Sequence, residues 1–85
     1  MKKITYFYLK TCPYCRQADR LLEEARAKRP ELAQVEIEKI EETERPDIAD
    51  QYDYYYVPCF YLGKEKLLEG VPTYAAVEKA LERAL

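Results

Sequence analysis

Histidine is absent from this 85-residue chain, so no imidazole is on hand as a general base or a metal ligand. A surplus of positive charge is missing as well. Fourteen Lys and Arg face 16 Asp and Glu, a net charge of −2 with the signs interspersed, which leaves neither a basic stripe for nucleic acid nor a polybasic patch for a membrane. No apolar stretch approaches the ~18 residues of a membrane span, and no secretory leader pattern is visible, so a cytoplasmic location is expected. Internal repeats, low-complexity tracts and linkers are lacking too. Residues 1–85 therefore read as one small domain, expected to bury about 60–65% of its unfolded surface, and monomeric. Proteins and small molecules remain as partners.

What the chain does have is Cys12-Pro13-Tyr14-Cys15. The apolar run Ile4–Leu9 before it is rich in aromatic and β-branched residues and predicts a buried strand. After it, Cys15, Ala18, Leu21, Leu22 and Ala25 share one face of a 3.6-residue period, with Arg16, Gln17, Arg20, Glu23 and Glu24 on the others. Pro13 suits the first helical position, which makes Cys12 the N-cap. A sulfur there faces unpaired amides at the positive end of the helix dipole, which favours the thiolate. Cys12 is thus the expected nucleophile. Cys15, one turn on and facing the core, is the expected resolving thiol, able to attack a mixed disulfide at Cys12. A zinc half-site also reads CxxC, but a structural site usually needs four ligands and only Cys59 is left to add.

The rest reads as scaffold. Pro30 stops the first helix, and Val35 and Ile37 alternate with Glu36 and Glu38 in a half-exposed edge strand. A strand, a helix and a strand imply a parallel pair joined by a right-handed crossover. Glu41–Arg45 reads as a solvated loop, and Pro46 as the start of a short helix burying Ile48, Ala49 and Tyr52. Tyr54, Tyr55 and Tyr56 read as packing against the sheet, with Tyr56 alone nearing the dithiol. Residues 57–62 predict a strand led by its proline, and Gly63-Lys64 a type II′ turn into a strand over 66–69. Thr73 is the predicted N-cap of a closing helix with Val77, Ala80, Leu81, Ala84 and Leu85 on its apolar stripe. The order is βαβαββα.

CPYC after the first strand, Val57-Pro58 before the third, and this element order together resemble a glutaredoxin, within the thioredoxin superfamily. The likeness spans essentially the whole chain and implies an α/β thioredoxin fold: a four-stranded mixed sheet flanked by three helices. It also implies a cis Val57-Pro58 bond beside the dithiol, with the Val57 backbone pairing with a bound thiol peptide. Glutathione or another thiol reductant would then be a co-substrate, with no bound cofactor, and Lys10, Tyr14, Tyr56, Val57 and Pro58 would form the substrate-binding set. The chain departs from the family pattern at two places. A basic residue commonly stands three positions before the first cysteine, where this chain has Leu9 with Lys10 one step closer. The Gly-Gly and Ser-Asp residues that grip glutathione in many members are replaced by Leu68-Glu69-Gly70-Val71-Pro72-Thr73.

The expected function is disulfide reduction through a Cys12/Cys15 dithiol-disulfide cycle, on protein or low-molecular-weight disulfides. One alternative is an iron-sulfur or soft-metal carrier using Cys12 with Cys15 or Cys59, although a motif proline such as Pro13 goes with exchange rather than cluster binding in the resembled family. Another is a protein electron donor recycled by a thioredoxin-reductase-like enzyme instead of glutathione. Cys59 itself reads as a small hydrophobe on a strand.

Overall fold

The computed structural model describes residues 2–85. Its elements are β1 (Ile4–Tyr8), α1 (Pro13–Lys28), a 3-10 turn (Pro30–Gln34), β2 (Ile37–Glu41), α2 (Pro46–Ala49), β3 (Cys59–Leu62), β4 (Glu65–Glu69) and α3 (Tyr74–Ala84). The strands form one mixed sheet in the order β2-β1-β3-β4. β1 runs parallel to β2 and antiparallel to β3, and β4 returns antiparallel to β3. This is the thioredoxin fold, with its three α-helices.

Alternation along the central strands builds two cores. Ile4 and Tyr6 of β1 with Phe60 and Leu62 of β3 join Ala18, Leu22 and Ala25 of α1 and Val77, Ala80, Leu81 and Ala84 of α3. Phe7, Cys59 and Tyr61 point the other way, against Ile40 and Ala49, with Tyr52 and Tyr54 packed on the edge. Each fully buried Phe or Ile side chain contributes roughly 1.5–3 kcal/mol. α2 is too short to cover its face alone, and tyrosines finish the job: Tyr54 stacks on Phe7 with ring centroids 4.9 Å apart, and Tyr52 meets Phe7 and Tyr61 at 4.8 and 4.9 Å.

Gly63 and Lys64 join β3 to β4, with Leu62 opposite Glu65. Gly63 has φ 61° and Lys64 does not have positive φ, the signs a type II′ turn requires. Thr73 caps α3, its hydroxyl accepting the Ala76 amide at 3.1 Å.

Four expectations need correction. β2 spans residues 37–41, not 35–38, because Val35 closes the 3-10 turn and is buried beneath α1, its carbonyl taken by Arg26 at 2.6 Å. Glu41 is buried at 8% exposure, not in a solvated loop. Its carboxylate accepts the Thr43 amide and hydroxyl at 2.7 and 2.5 Å, which meets the cost of enclosing it. Tyr55 and Tyr56 stand in solvent, 84% and 69% exposed, and only Tyr54 of the three packs on the sheet. Leu85 lies outside the apolar stripe of α3, 51% exposed beyond the helix end.

Candidate active site

Cys12 is the N-cap of α1, with extended dihedrals (φ −90°, ψ 114°) and Pro13 in the first turn behind it. Its sulfur accepts the Cys15 amide at 3.3 Å, a donor shared with the Cys12 carbonyl at 3.1 Å, so a first-turn amide of the helix points at the thiol. Cys12 is partly exposed, whereas Cys15 is buried at 1% exposure. All three cysteines are free thiols in this structure.

The two thiols of the motif therefore differ. Burial pushes the Cys15 thiol up to about 12, with the Leu9 backbone opposing and the adjacent Cys12 thiol adding to the rise. Cys15 thus keeps its proton at neutral pH while Cys12 meets solvent. Such a pair suits sequential exchange, in which the outer sulfur reacts first and the inner one is held back.

Val57 and Pro58 complete the opposite wall. Their peptide bond is cis, as the resemblance implied, and the Cys12 thiol lies 3.8 Å from the Val57 carbonyl oxygen. Pro58 is fully buried and Val57 is half-buried. Tyr14 lies in the first turn of α1, 49% exposed. Tyr56 stands beside Gly70, whose Cα would place a side chain 3.9 Å from the Tyr56 Cβ. Lys10 keeps its ammonium in an ion pair with Glu44, and its carbonyl accepts Arg16 at 3.3 Å. The structure thus brings Cys12, Cys15, Val57 and Pro58 together and leaves the Lys10 head group occupied elsewhere.

Cys59 does not join the pair. Alternation turns its side chain to the α2 face, fully buried among Phe7, Ile40 and Tyr61, and burial pushes this thiol too up to about 12. Among the described residues no three His, Cys, Asp or Glu side chains are grouped to hold a metal ion. A carrier site drawing on Cys59 together with Cys12 is at odds with this placement.

Several polar residues around the site carried no readable sequence signal. The Tyr6 hydroxyl lies 2.8 Å from the Cys15 carbonyl and 2.9 Å from Asp19 Oδ1 inside the core. Asp19 also takes Lys39, whose ammonium sits 4.5 Å over the Tyr8 ring. Glu41 accepts the Lys10 amide at 3.3 Å and so ties down the loop that leads into Cys12. Glu69 accepts the Tyr55 and Tyr56 amides at 2.5 and 3.0 Å with one oxygen and pairs with Lys66 at 2.9 Å through the other. The Lys66 pairing, followed by these two amides, holds the Glu69 carboxyl down at about 2. Apart from Lys66, three residues before Glu69, each partner is distant in sequence or part of the backbone, so these roles emerge only in the folded chain.

A CxxC dithiol capping a helix across from a cis-proline, on this fold, defines the class of thioredoxin-fold dithiol proteins. The thioredoxin family model matches residues 2–84, and the chain belongs to that family. It is 32% identical over 83 residues to a thioredoxin of Methanocaldococcus jannaschii, covering 98% of this chain and 95% of the relative. The fold is shared with the oxidised thioredoxin of Plasmodium falciparum (TM-score 0.69, 20% identity, 98% of this chain and 81% of that one). A malarial protein of solved structure gives TM-score 0.68 at 13% identity, covering 98% and 96% of the two chains. No helix among the described residues is long and apolar enough to cross a membrane.

Proposed function

We propose that the chain is a thioredoxin-like thiol-disulfide oxidoreductase in which Cys12 is the attacking sulfur and Cys15 the resolving one. The Cys12 thiolate attacks one sulfur of a substrate disulfide, the S–S bond breaks, and the leaving thiolate takes up a proton. Cys15 then gives its proton to the second leaving thiolate as its sulfur attacks Cys12, which frees the reduced substrate and forms the Cys12–Cys15 disulfide. Two electrons have passed to the substrate, and a thiol reductant returns two to the protein. The observation that carries this reading is the contrast between a partly exposed, amide-capped Cys12 and a Cys15 buried one turn behind it.

For the electron source we favour a protein reductase over glutathione, with protein disulfides as substrates. Lys10 is paired with Glu44 and Glu69 is an anion beside the rim, so the charges that would grip glutathione's carboxylates are absent or of the wrong sign there. The glutaredoxin-like reading keeps one support, the exposed Tyr14 within the motif. Insulin reduction coupled either to NADPH with thioredoxin reductase, or to glutathione with its reductase, decides between them. Turnover in the first system and little in the second is expected. Turnover only with glutathione would return the chain to the glutaredoxin-like reading, and none in either would remove the oxidoreductase assignment.

A further inference from the structure

Residues 53–58 form neither helix nor strand, yet they place the Val57 carbonyl against Cys12. Such a segment has no ladder to hold it, and its amides and carbonyls need partners elsewhere. Three tethers supply them. The Tyr61 hydroxyl donates to the Asp53 carbonyl at 2.5 Å, the Gly70 amide to the Pro58 carbonyl at 2.9 Å, and between these anchors the Tyr55 and Tyr56 amides donate to Glu69. The first two hold the ends of the segment. Between them, Tyr54 is held through its side chain, by stacking on Phe7 and a hydroxyl bond to Glu42, and Glu69 takes the next two backbone amides.

Resting on the function proposed above, we propose that Glu69 is a positioning residue for the substrate-binding rim: its carboxylate clasps the Tyr55 and Tyr56 amides so that the Val57 backbone is held ready beside Cys12. The geometry has the marks of a purposeful clamp. Both amides converge on a single oxygen, Lys66 fixes the other, and the Glu69 side chain is only 20% exposed. Glu69 lies opposite Cys59 at the end of β4, so the clasp is built on the sheet. Charge-assisted bonds of this kind are shorter and stronger than neutral ones. Removing them frees the rim without touching either thiol of the dithiol, so binding should suffer and chemistry should not.

The test is Glu69→Ala and Glu69→Gln in the full chain, assayed for protein-disulfide reduction alongside amide hydrogen exchange. With Glu69→Ala, KM is expected to rise about fivefold, since water at the open rim replaces most of what the two charge-assisted bonds contribute, while kcat stays within about twofold. Exchange at the Tyr55 and Tyr56 amides should quicken by about tenfold, with the β1 and β3 amides unchanged. Glu69→Gln, which keeps an acceptor oxygen, should fall between wild type and Glu69→Ala on both readouts. Unchanged exchange at the two amides, or a KM equal to wild type in a variant that melts normally, would overturn the proposal. Absence of turnover in the unmodified protein would instead refute the function it rests on, and the exchange rates would still judge the clasp.

Discussion

Cys12 and Cys59 meet opposite fates on either side of the Val57-Pro58 bond. The first touches the Val57 carbonyl, and the second follows Pro58 directly along the chain. One caps a helix in partial contact with solvent; the other is sealed among aromatic rings on the far face of the sheet. Nearness along the chain does not make a thiol part of the site. The alternation of a strand does the sorting, since Cys59 points toward α2 while Phe60, its neighbour, points toward α1 and α3.

The sharpest way to break this contrast is to remove each sulfur in turn. Cys12→Ser should cut disulfide-reduction turnover by about a thousandfold or more, equivalent to ~4 kcal/mol of lost transition-state stabilisation. Turnover of Cys59→Ala per folded molecule should match wild type. An equal loss in the two variants would erase the distinction.

Stability should show the reverse order. Cys59→Ser places a hydroxyl in a fully buried apolar pocket, and an unpartnered buried donor costs roughly 1–3 kcal/mol, so the variant should unfold at distinctly lower denaturant. Cys12→Ser, at a partly exposed cap where serine is itself favoured, should melt close to wild type.

Alkaline pH sharpens the comparison within the dithiol. The ordinary cysteine value is 9.0, and burial pushes Cys15 to about 12, so between these values the folded protein holds a proton that the unfolded chain has released. Stability therefore falls as pH rises through that window, and the contribution is intact below it. The reduced wild type should lose ground against Cys15→Ala above pH 9, measured by chemical denaturation under reductant. A difference that stays flat from pH 8 to beyond pH 10 would mean that Cys15 is not held in its neutral form by burial. Cys59, raised to the same value in both proteins, cancels from the comparison.

Much of this arrangement was legible in the sequence. The buried strand, the Cys12 cap, the Pro13 start, the Gly63-Lys64 turn and the Thr73 cap all rest on local chemistry, and local chemistry is what a sequence displays. The errors have a shared cause. Val35 left the strand because a carbonyl partner on α1 and a 3-10 turn claimed it, and Glu41 entered the interior because Thr43 and Lys10 supplied donors for its carboxylate. Tyr54 and Tyr55 are adjacent and chemically identical, but only one faces Phe7. At the site, the thiols were readable from spacing. Tyr6, Asp19 and Glu69 were not, since their roles arise from partners that the fold alone brings near.

Central to the account is a division of labour in which the outer sulfur engages the substrate and the inner one releases it. Cys15→Ser should therefore stall after the first exchange, and mass spectrometry of the protein incubated with a disulfide substrate should find one adduct, on Cys12. An adduct on Cys59, or one that survives in Cys12→Ser at the same yield, would contradict it.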